Sequence, residues 1–187
     1  MAFTESDEQL ISDFISGNEA AFNKLIRKYQ QKIYWHARRM TGNHLDADDV
    51  VQEVLLVLYS KLKNFKFESS LYTWIYKITS TRSLNLINRR KLKEFFSIDD
   101  PDNKFDIPHN EDIAGNIEDK EKVERLNNVL QKLPVKQREV FILRNFEELS
   151  YEEIAEITGK STGALKANYF HALNKVSELM KESKNEH

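Results

Sequence analysis

Apolar residues recur every three or four positions along most of this chain, which is the spacing of one face of an α-helix. The longest run in the first half covers residues 19–40; two more cover residues 46–62 and 70–89, and a short one precedes Gly17. The apolar positions of the longest run are Phe22, Leu25, Ile26, Tyr29, Ile33, Tyr34 and Ala37. The first half is therefore expected to form four helices in one bundle, the third of them capped at its N-terminus by Asp46.

The second half repeats this pattern in four segments. The first covers residues 119–131, and Pro134 occupies the first turn of the next, where its missing N–H costs little. Ser150 and Glu153 have the spacing of a capping box, which predicts the start of a third helix. A fourth covers residues 161–181. The whole chain is thus expected to be all-α.

A stretch rich in acidic residues separates the two halves. From Asp99 to Asp119 there are eight acidic residues and one basic residue, with little apolar periodicity. Such a composition predicts a solvated, flexible tether. We therefore expect two small helical domains, a helix bundle at residues 1–94 and a helix-turn-helix domain at residues 119–187, joined by a flexible acidic linker at residues 95–118.

Composition narrows the class of protein. Hydrophobic residues make up 40% of the 187 positions and charged residues 31%, as in soluble globular proteins. No apolar run approaches the roughly 20 residues of a membrane helix, so we expect a cytoplasmic protein without membrane insertion. The absence of cysteine excludes disulfides and thiolate chemistry. The net charge is −2, so any affinity for nucleic acid must come from local clusters of charge.

The strongest local signal lies in residues 149–173. Ala155 is small enough for two helices to cross closely, and Gly159 suits a tight turn between them. The shared core is expected to contain Ile154, Ile157, Leu165, Tyr169 or Phe170, and Leu173. This is the pattern of a helix-turn-helix, whose second helix enters the major groove of DNA. An αα-hairpin that binds another protein, or binds nothing, is the alternative.

Charge along the second of these helices is one-sided. No acidic residue occurs between Glu156 and Glu178, whereas three lysines and one histidine do: Lys160, Lys166, His171 and Lys175. Ser161 and Thr162 can donate hydrogen bonds to phosphate at the helix N-terminus, and Gly163 lets the backbone approach DNA closely. This helix is therefore the predicted DNA-reading element.

The first half carries an acidic helix face. Asp49 and Glu53 lie four residues apart on the predicted third helix, with Gln52 beside them, so they share one face. An acidic face on an apolar helix suits docking on a basic protein surface. A carboxylate metal site is the alternative, but neither a Glu-x-x-His pair nor a second carboxylate helix accompanies it.

Aromatic and basic residues follow this helix. Five aromatic residues cluster in and after a short loop: Phe65, Phe67, Tyr72, Trp74 and Tyr76. Aromatic side chains beside a basic helix suit stacking on unpaired bases, although Trp74 and Tyr76 are more typical of core positions. From Thr81 to Lys93 there is no acidic residue, and the basic ones are Arg82, Arg89, Arg90, Lys91 and Lys93. Such a patch either neutralises phosphates or ends a helix in solvent.

The order of these features resembles the sigma-70 family of RNA polymerase sigma factors, and the short length resembles its extracytoplasmic-function (ECF) group. Residues 46–59 are similar to region 2.2 of that family, with its Asp-Ala-Glu-Asp-Leu-Val-Gln-Glu pattern. Residues 65–78 resemble region 2.3 and residues 78–91 resemble region 2.4. In the second half, residues 130–144 resemble region 4.1 and residues 149–173 resemble region 4.2.

The resemblance also implies which residues would contact the polymerase and the promoter. Region 2.2 would bind the beta-prime clamp of core RNA polymerase, whose beta flap is a further contact, through Asp49, Gln52 and Glu53. Regions 2.3 and 2.4 would melt and hold the −10 element of promoter DNA through Phe67, Glu68, Ser69, Ser70, Trp74, Arg82, Asn85, Asn88 and Arg89. Region 4.2 would read the −35 element through Ser161, Thr162, Gly163, Lys166, Asn168 and His171. The family often has Arg where Asn168 and His171 stand, and Gly where Phe67 stands.

The resemblance implies no catalytic residue, metal or cofactor, because the polymerase performs the reaction. The five histidines are scattered without metal-ligand spacing, and no phosphate-binding loop motif occurs, which argues against an enzyme. Since ECF factors are commonly held by an anti-sigma factor, such a partner is a hypothesis for this chain. The main alternative is a two-domain transcriptional regulator whose first half binds a ligand or forms a dimer.

Overall fold

The computed structural model describes residues 5–96 and 117–185, and all their regular elements are helical, as predicted. The helices are α1 (Asp7–Ile15), α2 (Glu19–Thr41), α3 (His44–Lys61), α4 (Leu71–Phe96), α5 (Ile117–Gln131), α6 (Val135–Asn145), α7 (Tyr151–Thr158) and α8 (Thr162–Asn185), with a 3₁₀ turn at Leu62–Asn64. The predicted linker lies mainly outside the described residues. At its borders, α4 continues to Phe96 and α5 begins at Ile117.

The first half, residues 5–96, is a bundle of α1 to α4 around α2. One face of each helix contributes to a shared apolar core, which includes Leu25 and Ile33 of α2, Val54 and Leu58 of α3, and Ile75 of α4. The periodicity thus predicted the four helices and, for α2, the face that it buries.

The N-terminus of α3 differs from the prediction. Its N-cap is Asn43, whose side-chain oxygen accepts a hydrogen bond from the Asp46 backbone N–H at 2.9 Å. Asp46 lies in the first turn, where its buried carboxylate accepts from the Asn43 side chain at 2.8 Å and pairs with Arg90 at 2.6 Å. The predicted cap was wrong because Asn and Asp both stabilise helix starts, and Asn43 satisfies the free amide one turn earlier.

The second half, residues 117–185, contains the predicted helix-turn-helix in α7 and α8. The capping box is confirmed: Ser150 Oγ accepts from the Glu153 N–H at 3.2 Å, and the Glu153 carboxylate accepts from the Ser150 N–H at 2.8 Å. Gly159 ends α7 with φ +68°, a left-handed conformation that glycine adopts without a steric penalty. The capping box defines the start of α7, and the turn at Gly159 sets the direction of α8 relative to α7.

The face that α8 buries differs from the prediction at one position. Leu165, Ala172, Val176 and Leu179 are buried and Tyr169 is half-buried, whereas Phe170 is 61% and Leu173 43% exposed. Leu173 was wrongly predicted as core. At about 100° per residue it lies about 80° around the helix from Leu165, while positions 169, 172 and 176 stay close to that line.

The two halves also pack against each other. Helix α4 contacts α7, and α2 contacts both α5 and α6. One apolar cluster combines Met40 and Ile87 of the first half with Leu130 and Ile142 of the second. The described residues contain no helix that is both long and apolar enough to span a bilayer.

The burial of α8 predicts unequal effects of two leucine truncations. Leu165→Ala should lower the free energy of unfolding by about 2–5 kcal/mol, because it leaves a cavity in the core between α7 and α8. Leu173→Ala, the matched control, should lower it by less than about 0.5 kcal/mol. Urea unfolding followed by circular dichroism measures both values. Equal losses would show that the assigned helix face is wrong.

Candidate functional site

The acidic face predicted on α3 is accessible, but one of its members is already paired. Asp49 and Gln52 are exposed. The Glu53 carboxylate is one-third exposed and lies 3.0 Å from Arg89 and 3.5 Å from Arg82, both on α4. The α3 face predicted to bind polymerase and the α4 residues predicted to bind DNA are therefore neighbours joined by ion pairs. The acidic residues of this face do not form a metal-binding cluster, because the Glu53 carboxylate faces two guanidinium groups.

An open groove of about 770 Å³ runs between α3 and α4. It brings together four of the predicted −10 residues: Arg82, Asn85, Asn88 and Arg89. Leu56, which is 71% exposed, and Leu92 form an apolar part of the same groove. These two leucines could not be recognised from the sequence, because they fit the apolar periodicity of their helices and nothing in the pattern marks them as exposed.

The aromatic side chains of the loop before α4 pack against one another and against the bundle. The Phe65 ring lies 4.9 Å from that of Phe67 and 5.0 Å from that of Trp74. Phe67 is 51% exposed and has φ +55°, the left-handed conformation for which glycine is favoured. Ser70 Oγ accepts from the Thr73 N–H at 3.0 Å and thereby starts α4. The outermost ring of the stack, Phe67, is thus presented to solvent.

This loop borders a second open cavity, of about 820 Å³. Its lining includes the predicted residues Glu68, Ser69 and Trp74. Three lysines surround them: Lys61, Lys66 and Lys77. Trp74 is half-buried and also packs on the core, while Tyr76 is fully buried, so the core alternative is confirmed for Tyr76.

The predicted reading helix, α8, presents its N-terminal turns to solvent. Ser161, Gly163, Lys166 and His171 are exposed, and Thr162 is half-buried. Ser161 Oγ accepts from the Ala164 N–H at 3.3 Å, which leaves its own hydroxyl proton available as a donor.

Not every predicted side chain of α8 faces outward. The Asn168 amide donates to the Ala164 carbonyl at 2.9 Å, so it is held against its own helix. Lys160 pairs with Glu139 at 3.1 Å. One exposed line of the helix runs through Gly163, Ala167 and Phe170. These three residues are spaced four and three positions apart and lie on the side of the helix opposite Leu165. The helical period therefore indicates this line once Leu165 is taken as the centre of the buried face.

Among the described residues, no group of three or more His, Cys, Asp or Glu side chains is arranged to hold a metal ion. The candidate site is thus made up of three solvent-exposed surfaces: the acidic face of α3, the groove and aromatic loop at α4, and the start of α8.

Two family models match the chain in this order. The model of sigma-70 region 2 matches residues 25–92, and that of sigma-70 region 4 matches residues 124–176. They cover the acidic face, the aromatic loop, the α4 groove and the helix-turn-helix.

Curated relatives extend over nearly the whole chain. The RNA polymerase sigma-H factor of Pseudomonas aeruginosa is 29% identical over 96% of this chain and 96% of its own length. The ECF RNA polymerase sigma-E factor of Haemophilus influenzae is 30% identical over 96% of this chain and 100% of its own length.

Solved structures show the same fold. CnrH, in complex with the cytosolic domain of CnrY, superposes with a TM-score of 0.69 at 23% identity and covers 95% of this chain and 99% of its own. The sigma factor RpoE of Bartonella quintana, in complex with the anti-sigma factor NepR, has a TM-score of 0.68 at 25% identity and covers 86% and 96%. The predicted family and the two-domain helical architecture are therefore confirmed. The chain belongs to the ECF group of the sigma-70 family, and its function is that of a promoter-recognising sigma factor of RNA polymerase.

Proposed function

We propose that this chain works in the cytoplasm, binds core polymerase through α3, holds the melted −10 element at α4 and reads the −35 element with α8. The observation that carries the proposal is that three surfaces of suitable chemistry are exposed in the order of the matched region models. Residues 1–94 and 119–187 are the corresponding domains. The chain supplies binding energy that stabilises melted DNA, while the polymerase performs the reaction, so no catalytic residue is assigned.

Docking on the beta-prime clamp of the polymerase is assigned to Asp49, Gln52 and Glu53. Asp49 and Gln52 are exposed. They lie inside α3, away from its ends, so their side chains do not cap the helix backbone. Opposite charges across an interface speed association and select the partner, which suits a basic clamp surface. The helix-turn-helix half is assigned to the beta flap.

Charge reversal at the docking face should reduce polymerase binding. Asp49→Lys is expected to weaken binding to core polymerase by at least about tenfold, because like charges then face each other across the interface. Asp48→Lys, an equal charge change at the next exposed position, is the control and should bind nearly as the unchanged chain. Glu53 is avoided because its loss also frees Arg89. Surface plasmon resonance gives both affinities, and equal losses would contradict the assignment.

The −10 assignment combines two neighbouring surfaces. Phe67, Glu68, Ser69, Ser70 and Trp74 offer an exposed ring, a stacked tryptophan and short polar groups to an unpaired base. The groove on α4 then offers amides and guanidinium groups to the adjoining DNA through Arg82, Asn85, Asn88 and Arg89. Base stacking is sequence-tolerant, so the polar groups of the groove supply selectivity.

Removing the exposed ring should weaken binding of single-stranded −10 DNA by the holoenzyme. Phe67→Ala is expected to cost about 1–3 kcal/mol, or roughly 5- to 150-fold in affinity, since one stacking partner is lost. Phe95→Ala removes another exposed phenylalanine, near the end of α4, and serves as control. Fluorescence anisotropy with a labelled non-template oligonucleotide measures both. Unchanged affinity of the Phe67 variant would exclude stacking at this position.

The −35 assignment places the N-terminus of α8 in the major groove. Ser161, Thr162 and Gly163 lie at the helix start, where free N–H groups and the helix dipole favour phosphate. Lys166 is exposed, with its ammonium 5.6 Å from the Tyr151 ring centre. His171 and Asn168 complete the set, although the Asn168 amide would have to leave the Ala164 carbonyl before it could bind a base.

Neutralising Lys166 should lower both the affinity for −35 duplex DNA and its dependence on salt. Lys166→Ala is expected to reduce the slope of log K against log salt by about one, because one phosphate contact is lost. Lys181→Ala, near the far end of α8, should leave the slope unchanged. Titration of the holoenzyme with duplex at several salt concentrations gives the slopes. Identical slopes for all three proteins would mean that Lys166 contacts no phosphate.

An anti-sigma factor is proposed as a further partner. Support comes from the RpoE structure, which was solved with the anti-sigma factor NepR bound and which superposes on this chain over 86% of its length. Co-purification from the native host tests this proposal, and recovery with polymerase alone would count against a dedicated inhibitor.

A further inference from the structure

We propose that Phe170, together with Ala167, selects −35 sequences that contain thymine, by packing on the C5-methyl group of thymine in the major groove. The inference deepens the function proposed above and rests on it, because it concerns the DNA that α8 reads. It is carried by the side chains that α8 presents on the side of the helix opposite its buried face.

The outward side of α8 is a line of small and apolar residues. Leu165 is fully buried and marks the direction of the core. Gly163, Ala167 and Phe170 lie within about 40° of the opposite direction, and all three are exposed. They span about 10 Å along the helix axis, which is close to the length of three base-pair steps of about 3.4 Å. This line therefore presents carbon atoms, and no hydrogen-bonding side chain, to whatever the helix approaches.

Phe170 differs from its neighbour Tyr169, which belongs to the core. The Tyr169 ring stacks on Phe141 with 6.2 Å between ring centres, and its hydroxyl donates to the Asn145 side chain at 3.1 Å. The Phe170 ring is 61% exposed and lies beside the His171 ring, at 5.8 Å. A single exposed phenylalanine needs no explanation on most protein surfaces. On the helix that enters the DNA groove, however, its ring is among the first groups to meet the bases.

The polar side chains next to this line are directed elsewhere. The Asn168 amide donates to the Ala164 carbonyl at 2.9 Å. The Lys166 ammonium lies 5.6 Å from the centre of the Tyr151 ring, on the side of α7. A free amide would bind adenine and a basic side chain would bind guanine, each through the base edge. Neither side chain is oriented for such a contact, so α8 favours an apolar contact as its means of reading a base.

Charge around the line identifies nucleic acid as its partner. No acidic residue occurs in the sequence from Ile157 to Ser177. Lys166 and Lys175 lie on either side of Phe170 along the helix, and both are exposed. Basic residues around an apolar line suit a groove that has phosphates along its edges and thymine methyl groups on its floor. We therefore take the major groove, rather than an apolar protein surface, as the partner of this line.

Gly163 and Ala167 allow the helix to approach the bases closely. A Cβ added at Gly163 would meet no atom of the described residues within 4 Å, so packing within this part of the chain does not require glycine. Glycine also weakens a helix relative to alanine, so its presence brings the fold no advantage. Both observations fit a position where the helix backbone approaches another molecule. Ala167 is the next small residue on the line, and the Phe170 ring then extends beyond both.

Thymine is the base that an apolar side chain can distinguish. Each base pair has its own pattern of groups in the major groove, and thymine alone presents a methyl group there. Removing one such group from water favours binding by about fourfold. Because this contact releases no counterion, the preference for thymine should not change with salt concentration, unlike the contribution of Lys166.

The first test replaces thymine by uracil, which lacks only the methyl group. Holoenzyme first selects −35 elements from duplexes randomised at these positions, and the selected duplex should contain thymine at one or two neighbouring positions. Uracil at such a position should weaken binding about fourfold, by the same factor at low and at high salt. Cytosine at that position should regain about this factor when it carries a 5-methyl group. Fluorescence anisotropy with labelled duplexes measures each affinity.

The second test asks whether Phe170 is the side chain that contacts the methyl group. In Phe170→Ala, duplexes with thymine and with uracil at that position should bind equally, since a contact already removed cannot be lost again. Leu173→Ala, the matched control, removes another exposed apolar side chain of α8 and should keep the fourfold preference. Alanine suits an exposed helix position, and circular dichroism checks that both variants are folded. A preference that persists in Phe170→Ala would come from DNA shape and would overturn the proposal.

The outcomes separate this inference from the function on which it rests. If holoenzyme selects a −35 element that binds equally well with uracil, the methyl contact is excluded and the proposed function stands. If Phe170→Ala lowers the affinity for core polymerase and not that for duplex DNA, the exposed line is a protein interface and the inference is wrong. If holoenzyme selects no duplex sequence at all, the −35 assignment fails, and this inference fails with it.

Discussion

Helix α2 is the element on which the rest of the structure depends. Its apolar face forms the centre of the first bundle through Leu25 and Ile33, and it contacts α1, α3 and α4. Its C-terminal turn then leaves that bundle and is capped by Arg138 and Gln131 of the second half. This one helix of 23 residues therefore has two structural roles. Its apolar face positions α3 and α4, and its C-terminal end contributes to the packing of the two halves against each other.

Local interactions were predictable from the sequence, and non-local ones were not. The sequence pattern predicted all eight α-helices of the described residues, and the Ser150–Glu153 spacing predicted a capping box, because both depend on residues within one or two turns. The prediction went wrong at Asp46, where two good caps compete within three residues, and at Leu173, where a small error in helix phase changes a core position into a surface one. In both places the residue type suits the predicted role, and only the three-dimensional geometry shows that the residue does not fill it.

Contacts between distant segments of the chain could not be predicted from the sequence either. Glu53 pairs with Arg89 across 36 residues of sequence, and Tyr76 donates to Glu147 across 71. Neither pair has a spacing that a helix or turn would reveal. The first pair also changes how the docking face is understood, because an exposed ion pair contributes only about 0–1 kcal/mol and is easily exchanged for a partner on another protein.

Packing of the two halves leaves the proposed binding surfaces accessible. Asp49, Phe67 and Lys166 are all exposed while the halves are packed together. The polar contacts between the halves use other residues, among them Met40, Tyr72 and Tyr76 of the first half. These contacts therefore involve none of the residues proposed to bind polymerase and DNA.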